Sequence, residues 1–312
     1  MTGVSTATAI DIAPAASVHP TVRRRGILLA GGSGTRLHPM TLAASKQLLP
    51  IYDKPLAYYP LCTLMHAGVR DMLVITTEWD APAFARLLGD GSQWGIDVRY
   101  AVQPRPEGIA QAFIIGEDFL GDDPSVLILG DNIFYGHGLP EILQGVARRT
   151  EGATLFGYRV HDPERYGVAE VAEDGTIVGL EEKPESPRSN YAVTGLYFYD
   201  DRVTSYAKEL TPSWRGELEI TDLNRRYLEE GTAVLERLGR GFAWLDTGTP
   251  GSLLDAASFI RTVEVRQGLK IACPEEVAYR MGFIGPNEVL EAAHGLRHTD
   301  YGSYLLGLLS GG

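Results

Sequence analysis

Cysteine is scarce in this chain of 312 residues, which contains only Cys62 and Cys273. Two cysteines so far apart supply neither the disulfide framework of a small secreted fold nor the paired spacing of a zinc site. We therefore expect two buried, unreactive thiols in a reducing compartment, and we predict that the protein is cytoplasmic.

Basic residues are also few, because 28 lysines and arginines stand against 40 aspartates and glutamates. Nucleic-acid binding depends on clustered positive charge, so this composition excludes nucleic acid as a main partner. A cleft can carry a local charge unlike that of the whole molecule, so a small anionic ligand is still compatible with the balance.

Long apolar runs are absent, and no stretch approaches the length needed to span a membrane. The first 22 residues are rich in alanine, threonine, serine and valine. They lack the basic start and the continuous apolar centre of a secretory signal. We expect residues 1–22 to form a disordered extension and predict no membrane partner.

Glycine is abundant at one informative place, the sequence LLAGGSGTRLHP at residues 28–39. A short apolar run leads into a loop with glycine at positions 31, 32 and 34, followed by Thr35 and Arg36. Glycine lets backbone N–H groups approach a ligand closely, and successive N–H groups form a concave anion site. The loop therefore predicts phosphate binding.

Two common glycine loops do not match this one. A P-loop requires a Lys-Ser or Lys-Thr pair after its glycines, and none follows. A dinucleotide fingerprint requires glycine or alanine where Leu37 stands. The loop therefore predicts a different class of phosphate-binding protein.

Short apolar runs alternate with helical stretches along the first half of the chain. This order predicts right-handed βαβ units and a doubly wound, mostly parallel, Rossmann-like α/β sheet with helices on both faces. We expect strands at 26–30, 71–77, 98–104 and 125–132, and helices at 55–68, 81–91 and 108–120. Ligands bind at the carboxyl ends of such strands, so the glycine loop, Gln103 and Asp131 should converge on one cleft.

The second half is richer in strands, and Asp174-Gly175 is typical of a hairpin turn. A helix is expected at 217–231. Another is expected at 252–268, with Ser252 as its N-cap and Gly268 as its end. Residues 286–312 read as one more helix and a glycine-rich end.

Two acids end apolar runs, Asp131 in LILGDN and Asp246 in AWLDTG. A carboxylate at the end of a buried strand is costly unless it has a partner. Two such acids across a cleft would suit Mg²⁺, which takes a few carboxylates together with substrate phosphates. Four basic residues stand in glycine, proline or strand-end contexts and could neutralise phosphates: Arg36, Lys46, Lys183 and Arg215.

Many motifs in a fixed order carry a family resemblance from about residue 26 to residue 284. Beside the glycine loop they include SKQLLPIYDKP, VQPRPEGIAQAF, LGDNIFYGH, DPERYGV, LEEKPESPRSNYAVTGLYFYD, RGELEITD and WLDTGTP. With these motifs the chain resembles the glucose-1-phosphate thymidylyltransferase (dTDP-glucose pyrophosphorylase) family of the nucleotidyltransferase superfamily. The resemblance implies Mg²⁺-dependent transfer of a thymidylyl group from dTTP to glucose 1-phosphate.

The resemblance also implies a role for each matching residue. The implied catalytic residues are Arg36, Asp131, Lys183, Arg215 and Asp246, with Asp131 and Asp246 holding the metal. The implied nucleotide-binding residues are Gly31, Gly34, Thr35, Arg36, Lys46, Gln47, Gln103, Gly108 and Asp131. The implied sugar-phosphate-binding residues are Asn132, Gly167, Glu182, Lys183, Val193 and Arg215.

The resemblance further implies a division of the chain and its assembly. A nucleotidyltransferase domain covers 23–250, with a nucleotide-binding half to about 135 and a small, β-rich sugar-phosphate half to about 250. C-terminal helices in 251–312 would serve interfaces and regulation. A homotetramer and feedback inhibition by dTDP-rhamnose or a related dTDP-sugar are expected, in a pathway to dTDP-rhamnose or a related deoxysugar.

Two alternatives stay open at this point. One is a uridylyltransferase or promiscuous sugar-1-phosphate nucleotidyltransferase of the same fold. The other is a regulator that binds sugar nucleotides without catalysis, which would be expected to lack one of the catalytic charges.

Overall fold

The computed structural model describes residues 22–32 and 34–310, so residues 1–21 of the predicted N-terminal extension lie outside it. The strands are β1 Arg25–Leu29, β2 Pro50–Ile51, β3 Lys54–Pro55, β4 Asp71–Thr76, β5 Asp97–Val102, β6 Ser125–Leu129, β7 Asn132–Tyr135, β8 Ala153–Arg159, β9 Gly167–Val171, β10 Ile177–Glu182, β11 Tyr191–Tyr199, β12 Ala233–Leu238 and β13 Ala243–Asp246. The helices are α1 Tyr58–His66, α2 Ala81–Leu88, α3 Gln111–Ile115, α4 Glu117–Leu120, α5 Leu139–Ala147, α6 Val203–Glu209, α7 Ile220–Glu229, α8 Pro250–Gln267, α9 Pro274–Arg280, α10 Pro286–Gly295 and α11 Asp300–Leu309.

A large mixed sheet forms the centre of the described residues. Strands β6, β1, β4 and β5 lie side by side and parallel, and Ile27 aligns with Leu73 on one side and Leu127 on the other. Strand β11 joins β6 antiparallel and connects the parallel strands to the β9–β10 hairpin and to β8 and β12. The doubly wound α/β prediction is confirmed, with a mostly parallel core.

Side chains of β1 supply both faces of this sheet because successive residues of a strand point in opposite directions. Leu28 packs with α1, α2, α5 and α9 in one core. Ile27 and Leu29 pack with α3, α6 and α7 in the other. A strand covered by helices on both sides needs a continuous apolar sequence, which is why GILLA could be recognised as buried.

A two-stranded sheet crosses the edge where β6 ends. The predicted strand 125–132 is two strands, since β6 ends at Leu129 and β7 begins at Asn132 after a turn at Gly130 and Asp131. Strand β7 pairs antiparallel with β13, and Asn132 lies opposite Asp246 in that register. This pairing brings two distant parts of the chain together.

Four predicted helix starts are displaced by two or three residues, and two of them show a structural reason. The helix predicted at 108–120 begins only at Gln111, because Gly108 has a φ of +106°, and it is divided at Gly116. Helix α8 is capped by Thr249, not by Ser252. The Ser252 hydroxyl accepts a hydrogen bond from the Thr249 backbone while the Thr249 hydroxyl accepts one from the Ser252 backbone, in a reciprocal capping box.

The C-terminal part holds more helix than the sequence indicated. Helix α9 was missed, and the single helix predicted within 286–312 is two, α10 and α11. Thr299 starts the second by accepting a hydrogen bond from the Gly302 backbone. No helix in the described part of the chain combines the length and apolar character that a membrane crossing requires.

A buried ion pair fastens α8 to the β2–β3 hairpin. Lys54 is 3% exposed, and its Nζ lies 2.8 Å from Oε1 of Glu264 and 2.5 Å from Oδ1 of Asp53. Glu264 also accepts hydrogen bonds from Lys270 and from the Ile271 backbone. Each buried charge therefore has several partners, and removing one partner leaves the others uncompensated.

We predict that Lys54→Met lowers the free energy of unfolding by about 3 kcal/mol, because Glu264 stays buried with less compensation. Urea unfolding measures this. Lys208→Met is the matched control, because Lys208 pairs with Glu117 at a site where both side chains are about half exposed, and it should cost less than about 1 kcal/mol. Equal losses in the two variants would contradict the prediction.

Candidate active site

The carboxyl ends of the parallel strands form one edge of the sheet. The glycine loop follows β1, Gln103 follows β5 and Gly130 follows β6. Backbone hydrogen bonds hold them there, because Gln103 donates to the Thr76 carbonyl at 2.8 Å and Gly130 donates to the Leu29 carbonyl at 2.8 Å. The glycine loop and Gln103, two of the predicted nucleotide-binding elements, therefore lie at the same edge of the sheet.

The side chains of Gln103 and Gln47 each occupy the space beside a glycine. A Cβ on Gly31 would lie 2.2 Å from Oε1 of Gln103, and one on Gly130 would lie 2.9 Å from Cγ of Gln47. Gln47 and Gln103 are both buried. A side chain at either glycine would therefore require the facing glutamine to move, and both glutamines pack against the backbone at the ends of β1 and β6.

Asp131 and Asp246, the two predicted metal ligands, lie side by side. The Thr247 backbone donates to the Asp131 carbonyl at 3.1 Å, in continuation of the β7–β13 pairing. Each carboxylate has a cation: Lys46 contacts Asp131, and Nη2 of Arg165 lies 3.4 Å from Oδ2 of Asp246. The described residues hold no cluster of three or more metal-ligating side chains.

The two carboxyl groups differ in their electrostatics. Burial alone would raise the pKa of Asp131, but the adjacent Lys46 ammonium and the Asn132 amide bring that pKa below its ordinary value. Burial raises the pKa of Asp246, and the nearby Asp131 charge adds to the shift while Arg165 opposes it. Two neighbouring acids repel, so the pair favours nearby positive charge, which Lys46 and Arg165 supply in this structure.

The side chains of Arg36 and Asp246 both lie close to Gly248. A Cβ on Gly248 would be 3.7 Å from Oδ2 of Asp246 and 3.9 Å from Nη1 of Arg36. Thr35 and Arg36 belong to a single 3₁₀ turn that follows Gly34 in the left-handed region, and both are exposed. The end of the glycine loop thus presents a guanidinium beside the acid pair.

Asn132 connects the acid pair to the second half of the chain. Its Oδ1 accepts hydrogen bonds from the Gly195 backbone at 3.0 Å and from Nε1 of Trp244 at 2.6 Å, and its Nδ2 donates to Asp131. A Cβ on Gly195 would lie 2.6 Å from this Oδ1. The amide is therefore fixed in orientation against Gly195 on β11, two residues after Val193, where the pairing with β8 becomes irregular.

The remaining predicted sugar-phosphate residues form a charged cluster. Nζ of Lys183 lies 3.5 Å from Oε1 of Glu182, and Lys183 has a φ of +44°, unusual for a residue with a side chain. Thr221 donates to Glu182, and a Cβ on Gly167 would lie 3.3 Å from the same carboxylate. Arg215 lies 3.5 Å from Glu182, so one acid joins both cations.

Arg215 is more heavily paired than its sequence context indicated. It also contacts Glu217 at 3.3 Å and Glu219 at 2.7 Å. Burial alone would raise the pKa of Glu219, but hydrogen bonds from Arg215 and Ser213 bring it below its ordinary value. The guanidinium is thereby held in one position but is surrounded by negative charge.

Gly108 packs closely against the segment that precedes α7. A Cβ on Gly108 would lie 2.4 Å from the Leu218 carbonyl oxygen, and the Leu218 backbone donates to the Glu107 carbonyl at 2.7 Å. The loop after β5, which carries Gln103, is thus packed against the segment that carries Arg215.

Several residues of this edge were missed by sequence reasoning. Arg165 stands in the DPERYGV motif, which was noted for its resemblance but not for its charge. Asp80 is buried, and its Oδ1 accepts a hydrogen bond from the Ser45 backbone at 2.9 Å, which fixes the start of the loop that carries Lys46 and Gln47. A cavity of about 1140 Å³ opens between this segment, the glycine loop and Gln103.

Comparison with known proteins identifies the class. Residues 25–263 match the model of the nucleotidyl transferase family. The chain therefore belongs to the nucleotidyl transferase family, and the family expected from the sequence motifs is confirmed.

Relatives within this family are similar over nearly the whole chain. Enzymes named glucose-1-phosphate thymidylyltransferase from Xanthomonas campestris and Neisseria gonorrhoeae are each 59% identical; 93% and 91% of this chain and 98% and 99% of theirs are covered. A crystal structure described as a glucose-1-phosphate thymidylyltransferase of Bacillus anthracis with sucrose has a TM-score of 0.71 at 42% identity, covering 76% of this chain and 95% of that one. A UDP-glucose pyrophosphorylase complexed with UDP-glucose shares the fold, with a TM-score of 0.68 at 24% identity over 78% of this chain and 100% of that one.

Proposed function

We propose that the protein transfers a thymidylyl group from dTTP to α-D-glucose 1-phosphate, giving dTDP-glucose and pyrophosphate. The observation that carries the proposal is the meeting of a glycine loop, a pair of carboxylates and a charged sugar-side cluster at one edge of the sheet. The thymidylyltransferase relatives at 59% identity support the choice of substrates.

In the proposed reaction a phosphate oxygen of glucose 1-phosphate attacks the α-phosphorus of dTTP. A new P–O bond forms while the bond to the β-phosphate breaks, and pyrophosphate leaves. No protein nucleophile is required, so catalysis consists of aligning two polyanions and stabilising the charge that develops. Glycine-loop N–H groups and Thr35 would hold the triphosphate, and Arg36 would stabilise the transition state.

The sugar-side residues would orient the nucleophile. Lys183 and Arg215 would bind the sugar phosphate, while Asn132, Gly167, Glu182 and Val193 would hold the glucose ring. Because Arg215 and Lys183 both neighbour Glu182, a bound phosphate would compete with that carboxylate for its two cations. On the nucleotide side, Gln103 and Gly108 would read the thymine edge, with Gln47 lining the nucleotide site and Lys46 contacting phosphate.

Asp131 and Asp246 are suited to hold Mg²⁺. Two adjacent carboxylates without a third protein ligand match an ion that completes its coordination with substrate phosphates and water. When bound, Mg²⁺ would neutralise the phosphates and favour the developing charge on the leaving pyrophosphate. Lys46 and Arg165 would keep the two acids ionised and in place.

We further propose a cytoplasmic homotetramer in the route to dTDP-rhamnose or a related deoxysugar, with residues 23–250 as the catalytic domain. Residues 251–312 would provide interfaces and feedback regulation by a dTDP-sugar. The apolar side chains of Leu254 and Val265, 67% and 61% exposed on α8, support an interface. Both cysteines are free and buried, which suits a reducing compartment.

Initial-rate profiling with dTTP, UTP, ATP and several sugar 1-phosphates tests the substrate assignment. We expect the highest kcat/KM with dTTP and glucose 1-phosphate. A preference for UTP would instead support the uridylyltransferase, and binding without pyrophosphate release would support the regulator.

Arg36→Ala should lower kcat by about 10² to 10³, because a charge placed for the transition state is lost. The KM for glucose 1-phosphate should change little, since Arg36 lies on the nucleotide side. Steady-state pyrophosphate release measures both values. A near-normal kcat would remove Arg36 from the mechanism.

Asp131→Asn and Asp246→Asn should each raise the Mg²⁺ concentration for half-maximal rate by about tenfold or more, and the double variant should be inactive. Pyrophosphate release across a Mg²⁺ titration measures the shift. Asp255→Asn, an exposed acid on α8, serves as control. A double variant with ordinary activity and Mg²⁺ dependence would contradict the metal assignment.

A further inference from the structure

Trp79 is a large apolar side chain that the fold leaves uncovered. It lies between β4 and α2, at the carboxyl edge of the sheet, and is 82% exposed. Tryptophan is usually well buried, and an exposed one at a cleft marks a surface that gains from being covered.

The Trp79 indole borders two neighbouring cavities at the carboxyl edge of the sheet. Trp79 lines the cavity of about 1140 Å³ together with Gln103, and it lines a neighbouring cavity of about 180 Å³ together with Gly34 and Lys46. Among the described residues that line the larger cavity, it is the one aromatic side chain. Trp79 thus stands between the proposed base-reading amide and the proposed phosphate-binding residues.

The backbone at Trp79 is fixed by its neighbour. Asp80 is 8% exposed, and its carboxylate accepts hydrogen bonds from the Thr77 hydroxyl at 2.7 Å and from the Ser45 backbone at 2.9 Å. This carboxylate ties the loop after β4 to the loop that carries Lys46. The backbone next to Trp79 is therefore held beside the larger cavity, which the indole already lines.

We propose that Trp79 is a nucleotide-binding residue whose indole closes over the base of the bound dTTP. This inference rests on the proposed function. A base next to Gln103 has its edge available to the amide and a face available to an aromatic ring. Stacking buries apolar area on both partners and suits any base, so Trp79 would raise nucleotide affinity while Gln103 reads the base.

Trp79→Ala should weaken dTTP binding and raise the KM for dTTP, each by about fivefold to tenfold, at the lower end of base–aromatic stacking. The KM for glucose 1-phosphate should stay within about twofold, because the change is on the nucleotide side. Trp79→Phe, which keeps an aromatic face, should recover most of the loss. Calorimetric titration with dTTP and steady-state kinetics measure these values.

Intrinsic fluorescence gives a second readout. dTTP should quench tryptophan emission in the unchanged protein, and Trp79→Phe should abolish most of that quenching. Trp214→Phe is the matched control, since Trp214 is 93% exposed but belongs to the sugar-side half of the chain. It should leave both the quenching and the dTTP dissociation constant unchanged.

The outcomes separate this inference from the proposed function. Normal dTTP binding by Trp79→Ala, with turnover intact, would overturn the role of Trp79 and leave the proposed reaction standing. An unchanged protein that binds UTP in place of dTTP would contradict the substrate assignment. In that case, UTP binding by the unchanged protein and by Trp79→Ala would still show whether Trp79 stacks on the base.

Discussion

The close approach of two carboxylates, those of Asp131 and Asp246, is the constraint on which the rest of the site depends. The antiparallel register of β7 and β13 places Asp246 opposite Asn132, next to Asp131. Such a pair is tolerable only where positive charge surrounds it. Lys46 comes from the segment before β2 and Arg165 from the segment between β8 and β9, so the two acids draw their cations from distant parts of the chain.

Charge balance differs between the two sides of this cleft. Where the nucleotide site is proposed, Arg36 is exposed at the end of a glycine loop. Where the sugar-phosphate site is proposed, Arg215 is surrounded by Glu182, Glu217 and Glu219. Under the proposed function, a sugar phosphate at Arg215 would displace or share these carboxylates, which would lower its net gain on binding.

Sequence reasoning succeeded where the chain follows local rules and failed where distant segments meet. Continuous apolar runs identified β1 and β4, and Asp174-Gly175 correctly marked the hairpin between β9 and β10. The division at Gly130 and Asp131 was missed because the pairing that creates β7 comes from a segment more than a hundred residues away. The family motifs supplied the candidate residues, whose roles stay predictions, but not their partners. The pairing of Arg165 with Asp246 and the buried Asp80 depend on folding and leave no local pattern.

Three glycines at the site have a consequence for the substitutions that this protein can accept. Gly31, Gly130 and Gly195 each leave room that Gln103, Gln47 or Asn132 occupies. Any side chain introduced at one of these glycines would force one of these three amides to shift. The close packing at these glycines therefore makes this part of the cleft resistant to substitution.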